Sequence, residues 1–209
     1  MIRKAVTLIA SAALAAATLA APTAAAQELC PETGRFAVGG YPRTGIVPDG
    51  FEYVHTPGGI FPWESGGYNH GQNVGAANLV DTVDDFAAQC SGAIELRGHS
   101  YGAGVVSTAV ETIGDREYAG RVSVHLTGNP RHPGGIEDTY RGVTLAPGLT
   151  FRGAARVPDS VASYVDDCNY GRDYICHAPH LLWDPLGALA GIFGYLGTGH
   201  TYPQEVTNE

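Results

Sequence analysis

Lysine is almost missing from this chain: Lys4 is the only one among 209 residues, so every other base is an arginine. Bases are also outnumbered, with 12 Lys and Arg against 21 Asp and Glu. A surface with that balance offers no basic patch to nucleic-acid phosphates or anionic lipid, so both are poor partners. Beyond the N-terminal segment the chain also lacks repeats, charge blocks and low-complexity linkers. Its 29 Gly and 13 Pro are spread along the chain, as in a compact fold with many turns. One domain of about 180 residues, large enough for a single full core, is the expected organisation.

The N-terminus is different. Arg3 and Lys4 precede an almost wholly apolar, Ala-rich stretch over residues 5–21, and Ala24-Ala25-Ala26 offers small residues at a cleavage point. This is the pattern of an export signal, with residues 1–26 removed and residues 27–209 forming the mature domain. Removal takes away two bases and no acid. The ten remaining arginines against 21 acids give a formal charge of −11, which keeps an exported protein soluble.

Cysteine is scarce, but its number is even: Cys30, Cys90, Cys168 and Cys176. In an exported chain this reads as two disulfides, for which three pairings exist. Cys168 with Cys176 closes a tight local loop and leaves Cys30 to Cys90. A zinc site built from Cys168, Cys176, His177 and His180 is the rival reading, and export favours disulfides over it.

The elements alternate. Arg35–Val38 and Phe51–His55 read as strands. Val74, Ala77, Val80, Val83, Phe86 and Ala87 recur at helical steps over residues 72–89. Ala93–Arg97 is a strand running into Gly98, and residues 101–113 return to helical spacing. Arg121–Leu126 and the weaker Val161–Val165 complete the strands. Asp184-Pro185 supplies an N-cap and a first-turn proline for a helix over 186–196. The irregular stretch 128–160 is long for a loop, so short strands are expected within it. The order predicts an α/β domain: a mostly parallel central sheet flanked by helices and covered on both faces, and a domain this small leaves little room for a large lid.

Gly98-His99-Ser100-Tyr101-Gly102 has the form G-x-S-x-G and falls between a strand and a helix. In that context a tight turn exposes the serine as a nucleophile. The helix N-terminus behind it favours negative charge, and the backbone N–H of Tyr101 is the first candidate oxyanion donor. A second should come from the loop after the first strand, at Gly40 or Tyr41. Triad order in such folds puts the acid and then the base downstream of the serine. Asp173, inside the Cys168–Cys176 loop, is the candidate acid, with Asp166 and Asp167 as rivals; Asp184 is better explained as a helix cap. His200, in a Gly-rich loop past the last helix, is the candidate base, with His180 as the alternative and His177 behind it. His55, His70, His99, His125 and His132 precede the acid and fit the order less well.

These residues resemble the cutinase superfamily, including its mycobacterial branch and the related PE-PPE hydrolase domain. Cys30-Pro31 heads the mature chain. Cys90 lies ten residues before Ser100, as in cutinases, where it pairs with the first cysteine. Asp173-Tyr174-Ile175-Cys176 resembles the D-x-V-C segment that carries the catalytic acid. Gly128–Gly135, together with the Leu/Ala/Gly-rich stretch 181–196 before His200-Thr201-Tyr202, looks more like the PE-PPE pattern. Cutinase spacing would put the base near His180, and PE-PPE spacing at His200. The resemblance implies a single-domain α/β hydrolase that acts as an esterase or lipase and needs no cofactor or metal. A secreted monomer is expected. Its partners would be acyl-ester or lipid substrates and not nucleic acid, with peripheral contact to lipid or cell wall. Acyl transfer to an envelope sugar or lipid, and a catalytically silent lipid- or wall-binding module on the same scaffold, are the competing functions.

Overall fold

The computed structural model describes residues 30–40, 47–57, 59 and 66–202. Residues 1–26, where the sequence predicts an export signal, lie outside them. Five strands form one parallel sheet in the order β2-β1-β3-β4-β7: β1 (Thr33–Val38), β2 (Glu52–Tyr53), β3 (Ala93–His99), β4 (Val122–Thr127) and β7 (Ser163–Asp167). Two long helices, α1 (Gly67–Gln89) and α2 (Tyr101–Ile113), supply the crossovers on either side of β3. The result is a single α/β domain with a parallel sheet flanked by helices.

The core lies between the sheet and these two helices. Ile94, Leu96, Val122, Val124 and Leu126 point inward from β3 and β4 and meet Val105, Val106, Val110 and Ile113 of α2 and Leu79 and Val83 of α1. Burying each such side chain stabilises the fold by about 1.5–3 kcal/mol. Phe86 at the end of α1 packs edge-on to Phe36 of β1, with ring centroids 5.8 Å apart.

The helical period expected over 72–89 is present, but its stripe is wider. The buried stripe runs through Gly71, Gln72, Gly75, Ala76, Leu79, Val80 and Val83, and Ala77 faces solvent. Glycine explains the widening. A Cβ on Gly75 would lie 2.4 Å from Cγ2 of Thr56, so the helix approaches its neighbours through a residue that carries no hydrophobic signal.

The two faces of the sheet differ among the described residues. Among the described residues, α1 and α2 pack on one face. The other face carries Arg35, Glu95, Arg97, Ser123, His125 and Asp167, joined by Arg35–Glu95 (3.3 Å), Arg97–Glu95 (2.9 Å) and His125–Asp167 (2.8 Å) contacts. The alternation Ile94-Glu95-Leu96-Arg97 is what a one-sided sheet requires.

Short elements do occur between β4 and β7. Ile136–Thr139 forms one helical turn, α3, and β5 (Thr144–Ala146) pairs antiparallel with β6 (Leu149–Thr150). Asn69 in the first turn of α1 grips this hairpin by exchanging bonds with Thr150: its side-chain amide donates to the carbonyl (2.8 Å) and its Oδ1 accepts from the N–H (2.6 Å). The last helix, α4 (Pro185–Leu196), is capped by Asp184, whose carboxylate accepts from Gly187 N–H at 2.9 Å. α4 packs through Ala188 and Ile192 into a second small cluster with Tyr174, Ala178, Ile136 and Tyr140.

The cysteines pair as Cys30–Cys90 and Cys168–Cys176, with Cα separations of 5.5 and 5.7 Å. The first bond ties the start of β1 to the end of α1. The second closes the loop after β7. It also leaves His177 and His180 without the thiolates that a zinc set would need.

Candidate active site

Because the strands are parallel, their carboxyl ends share one edge, which is where open α/β sheets place their ligand crevice. Ser100 follows the carboxyl end of β3 and opens α2. Its backbone has φ 54° and ψ −119°, and it is the one non-glycine residue with positive φ among the described residues. Holding such a conformation costs on the order of 1–3 kcal/mol, so the surroundings must enforce it. They do so at three points. Ser100 N–H donates to the carbonyl of Thr127 on β4 at 2.9 Å. A Cβ on Gly98 would lie 2.7 Å from the carbonyl oxygen of Gly102, and one on Gly102 would lie 2.1 Å from that of Val38. Both flanking glycines are therefore required by close backbone approach.

The loop after β1 reaches the same place. A Cβ on Gly40 would lie 3.5 Å from Cβ of Ser100 and 3.2 Å from the ring of His99. Tyr41, the other candidate donor, lies outside the described residues. Tyr101 is the first residue of α2, where the helix dipole puts partial positive charge beside Ser100.

The acid and base of the candidate set meet. Asp173 is fully buried in the loop closed by Cys168–Cys176. Its Oδ1 accepts from Ile175 N–H at 2.9 Å, and its Oδ2 lies 2.8 Å from Nδ1 of His200. An ionised carboxylate only accepts, so Nδ1 carries the hydrogen and the lone pair of neutral His200 is on Nε2. That Nε2 is buried and has no hydrogen-bond partner among the described residues. Burial pushes the Asp173 carboxyl up. The hydrogen bond and charge of His200, then the bonds from Tyr202 and Ile175, outweigh it and hold Asp173 below the usual carboxylate range.

His200 rests on the turn after β4. A Cβ on Gly128, whose φ is +58°, would lie 2.6 Å from Cε1 of His200 and 3.1 Å from Oδ2 of Asp173. The His200 ring stands 4.7 Å from that of His99 and 5.1 Å from that of Tyr195. Tyr195 in turn lines a groove of about 210 Å³ that contains Ser100. Tyr68, Tyr101, Ile136, Leu145, Leu149 and Phe151 line it as well, and no charged side chain does.

The rivals are placed elsewhere. His180 stacks on Tyr140 (5.1 Å) and Trp183 (5.9 Å), and its Nδ1 accepts from Leu182 N–H. His177 accepts from Gly171 N–H. Asp167 pairs with His125 on the open face of the sheet. Asp166 accepts from the Asn129 amide, and burial raises its carboxyl above the usual range.

Two features of the site have no role that the sequence alone assigns. One is Tyr202, whose hydroxyl donates to Oδ2 of Asp173 at 2.6 Å. The other lies beneath the groove, where fully buried Glu137 accepts from the Tyr68 hydroxyl (2.8 Å) and from Arg152 N–H (3.1 Å). Its partners are 69 and 15 residues away, beyond the reach of any local pattern.

No family model matches this chain, and no curated protein does. Solved structures of similar fold include the following two. One is a cutinase-like protein from Cryptococcus sp., 18% identical, covering 79% of this chain and 92% of that one at a TM-score of 0.45. The other is the catalytic core domain of acetyl xylan esterase from Trichoderma reesei, 18% identical, covering 80% of this chain and 97% of that one at a TM-score of 0.46.

Proposed function

We propose that this chain is a secreted serine esterase that hydrolyses carboxylic esters of acyl or lipid character through Ser100, His200 and Asp173. The observation that carries the reading is the strained turn at Ser100, which borders an uncharged groove beside the half-buried His200 paired with buried Asp173.

In this reading Nε2 of His200 takes the Ser100 hydroxyl proton as Oγ attacks the ester carbonyl. The charge that develops on the carbonyl oxygen faces the backbone N–H of Tyr101, with Gly40 or Tyr41 as the second donor. The tetrahedral adduct collapses as His200 returns the proton to the leaving alcohol. Water, deprotonated by His200, then attacks the acyl-serine, and the acid leaves as Ser100 regains its hydrogen. Asp173 stays ionised, keeps the imidazole in the right tautomer and stabilises its cationic form.

Two disulfides suit an oxidising compartment, and residues 1–26 would be the segment removed on export. The apolar walls of the groove suit an acyl chain. Contact with a lipid or wall surface is supported by α4, which turns Leu186 (80% exposed), Leu189, Phe193 (70%) and Leu196 (73%) to solvent along one stripe. A monomer is the proposed state.

Hydrolysis of p-nitrophenyl acyl esters of several chain lengths by wild type and Ser100→Ala tests the reading. Loss of activity in the variant, with fluorophosphonate labelling of wild type alone, supports it. Equal activity in the two proteins overturns it.

A further inference from the structure

One oxygen of Asp173 serves two side chains. Oδ2 lies 2.8 Å from Nδ1 of His200 and 2.6 Å from the hydroxyl of Tyr202. Tyr202 is buried, and its hydroxyl accepts from Asn169 N–H at 3.2 Å beside Sγ of Cys176 at 3.4 Å. The phenol hydrogen is therefore committed to the carboxylate, and a neutral donor on a buried anion makes a charge-assisted bond.

We propose that Tyr202 is a positioning residue for the His200–Asp173 pair: its hydroxyl pins Oδ2 and draws off part of the carboxylate charge that otherwise falls on the N–H of His200. This rests on the reading of His200 as the base. A base must be neutral to accept the serine proton. A carboxylate with one donor holds an adjacent imidazolium more strongly than a carboxylate that shares its charge between two. Tyr202 thus keeps His200 usable at lower pH while fixing the oxygen that orients it. Among the described residues, the other titratable groups whose rings stand against His200 are His99, from the end of β3, and Tyr195, from α4. Both remain in place when the Tyr202 hydroxyl is removed.

The test compares the full chain with Tyr202→Phe, which retains the ring packing against His99 and His200. The first readout is the pH profile of kcat/KM on p-nitrophenyl butyrate. In the variant, the acid limb moves to higher pH by about half a unit or more. The second is the low-field proton resonance of the His200 Nδ1–H, assigned by its loss in His200→Gln. It moves further downfield in Tyr202→Phe, because the remaining bond to Asp173 strengthens. An acid limb that stays in place or moves down, or a resonance that does not move downfield, overturns the proposal. If Tyr202→Phe does not fold, fluorotyrosine at position 202 keeps the hydroxyl and makes it a stronger donor. The acid limb then moves down, and movement in the other direction overturns the proposal. The resonance can also be followed in Ser100→Ala, so the hydrogen-bond claim stands or falls separately from the esterase reading.

Discussion

The hydroxyl of Tyr202 and the carboxylate of Asp173 are 2.6 Å apart across 29 residues of sequence, in a site with little access to water. His200, then the Tyr202 hydroxyl and Ile175 N–H, hold the Asp173 carboxyl below its ordinary value of 3.8, against the opposing effect of burial. A carboxyl whose value is lower in the folded than in the unfolded chain stabilises the fold above the unfolded value. That contribution is lost as pH falls through the folded value. Urea unfolding of wild type and Asp173→Asn across the acid range should therefore show a stability gap that is full at neutral pH and closes as pH falls below the ordinary carboxylate range. A gap of constant size would contradict the assignment.

The turn at Ser100 stores strain, and glycine has no Cβ to suffer it. Ser100→Gly should abolish esterase activity and raise stability by about 1 kcal/mol, read as an upward shift of Tm. Ser100→Ala keeps the Cβ at positive φ and should not show that gain. Equal Tm for the two variants would mean that the strain is illusory.

Gly128 is the seat of His200. Its positive φ and the 2.6 Å approach of Cε1 leave no room for a methyl group. Gly128→Ala should displace the imidazole and lower kcat on the order of a hundredfold, with a smaller effect on KM. A variant that retains more than half of wild-type kcat would remove Gly128 from the account of the site.

The two disulfides should separate stability from activity. Cys30–Cys90 closes a loop of 60 residues and Cys168–Cys176 one of eight. The chain-entropy model assigns them about 4 and about 2.5 kcal/mol. Replacing Cys30 and Cys90 by serine should lower Tm more. Replacing Cys168 and Cys176 should lower kcat more, since that loop holds Asp173. Thermal melts and ester hydrolysis on both double variants check the ordering.

Much of the fold was legible because local physics fixed it. Asp184-Pro185 forces a helix start, and β3 followed by a glycine-flanked serine leaves few options but a strand–turn–helix. The candidate acid could be narrowed because a loop with little packing needs a staple, and Cys168 and Cys176 bracket Asp173. The contact between Asp173 and His200 rather than His180 was open, because both histidines lie downstream and spacing alone does not rank them. Tyr202 and Gly128 stand in the family-like segments of the sequence, but their contacts with Asp173 and His200 are not readable there, because those neighbours are distant in sequence. Val80, Val83, Phe86 and Ala87 of α1 reach the core as their spacing implies, while the stripe is widened through Gly71 and Gly75, which make close contact but add nothing to a hydrophobic pattern. The polar second face of β3 is written in its alternation, Ile94-Glu95-Leu96-Arg97, whereas strand–helix order alone implies helices on both faces.

The solvent-facing stripe of α4 has a consequence for anyone handling this molecule. Leu186, Phe193 and Leu196 should make the protein behave as a weak surfactant despite its net negative charge. It should adsorb to air–water boundaries and untreated plastic, elute late from phenyl resin, and be recovered in better yield with a trace of neutral detergent. Added salt should worsen the losses, because it screens the repulsion between acidic molecules and leaves the apolar stripe unopposed.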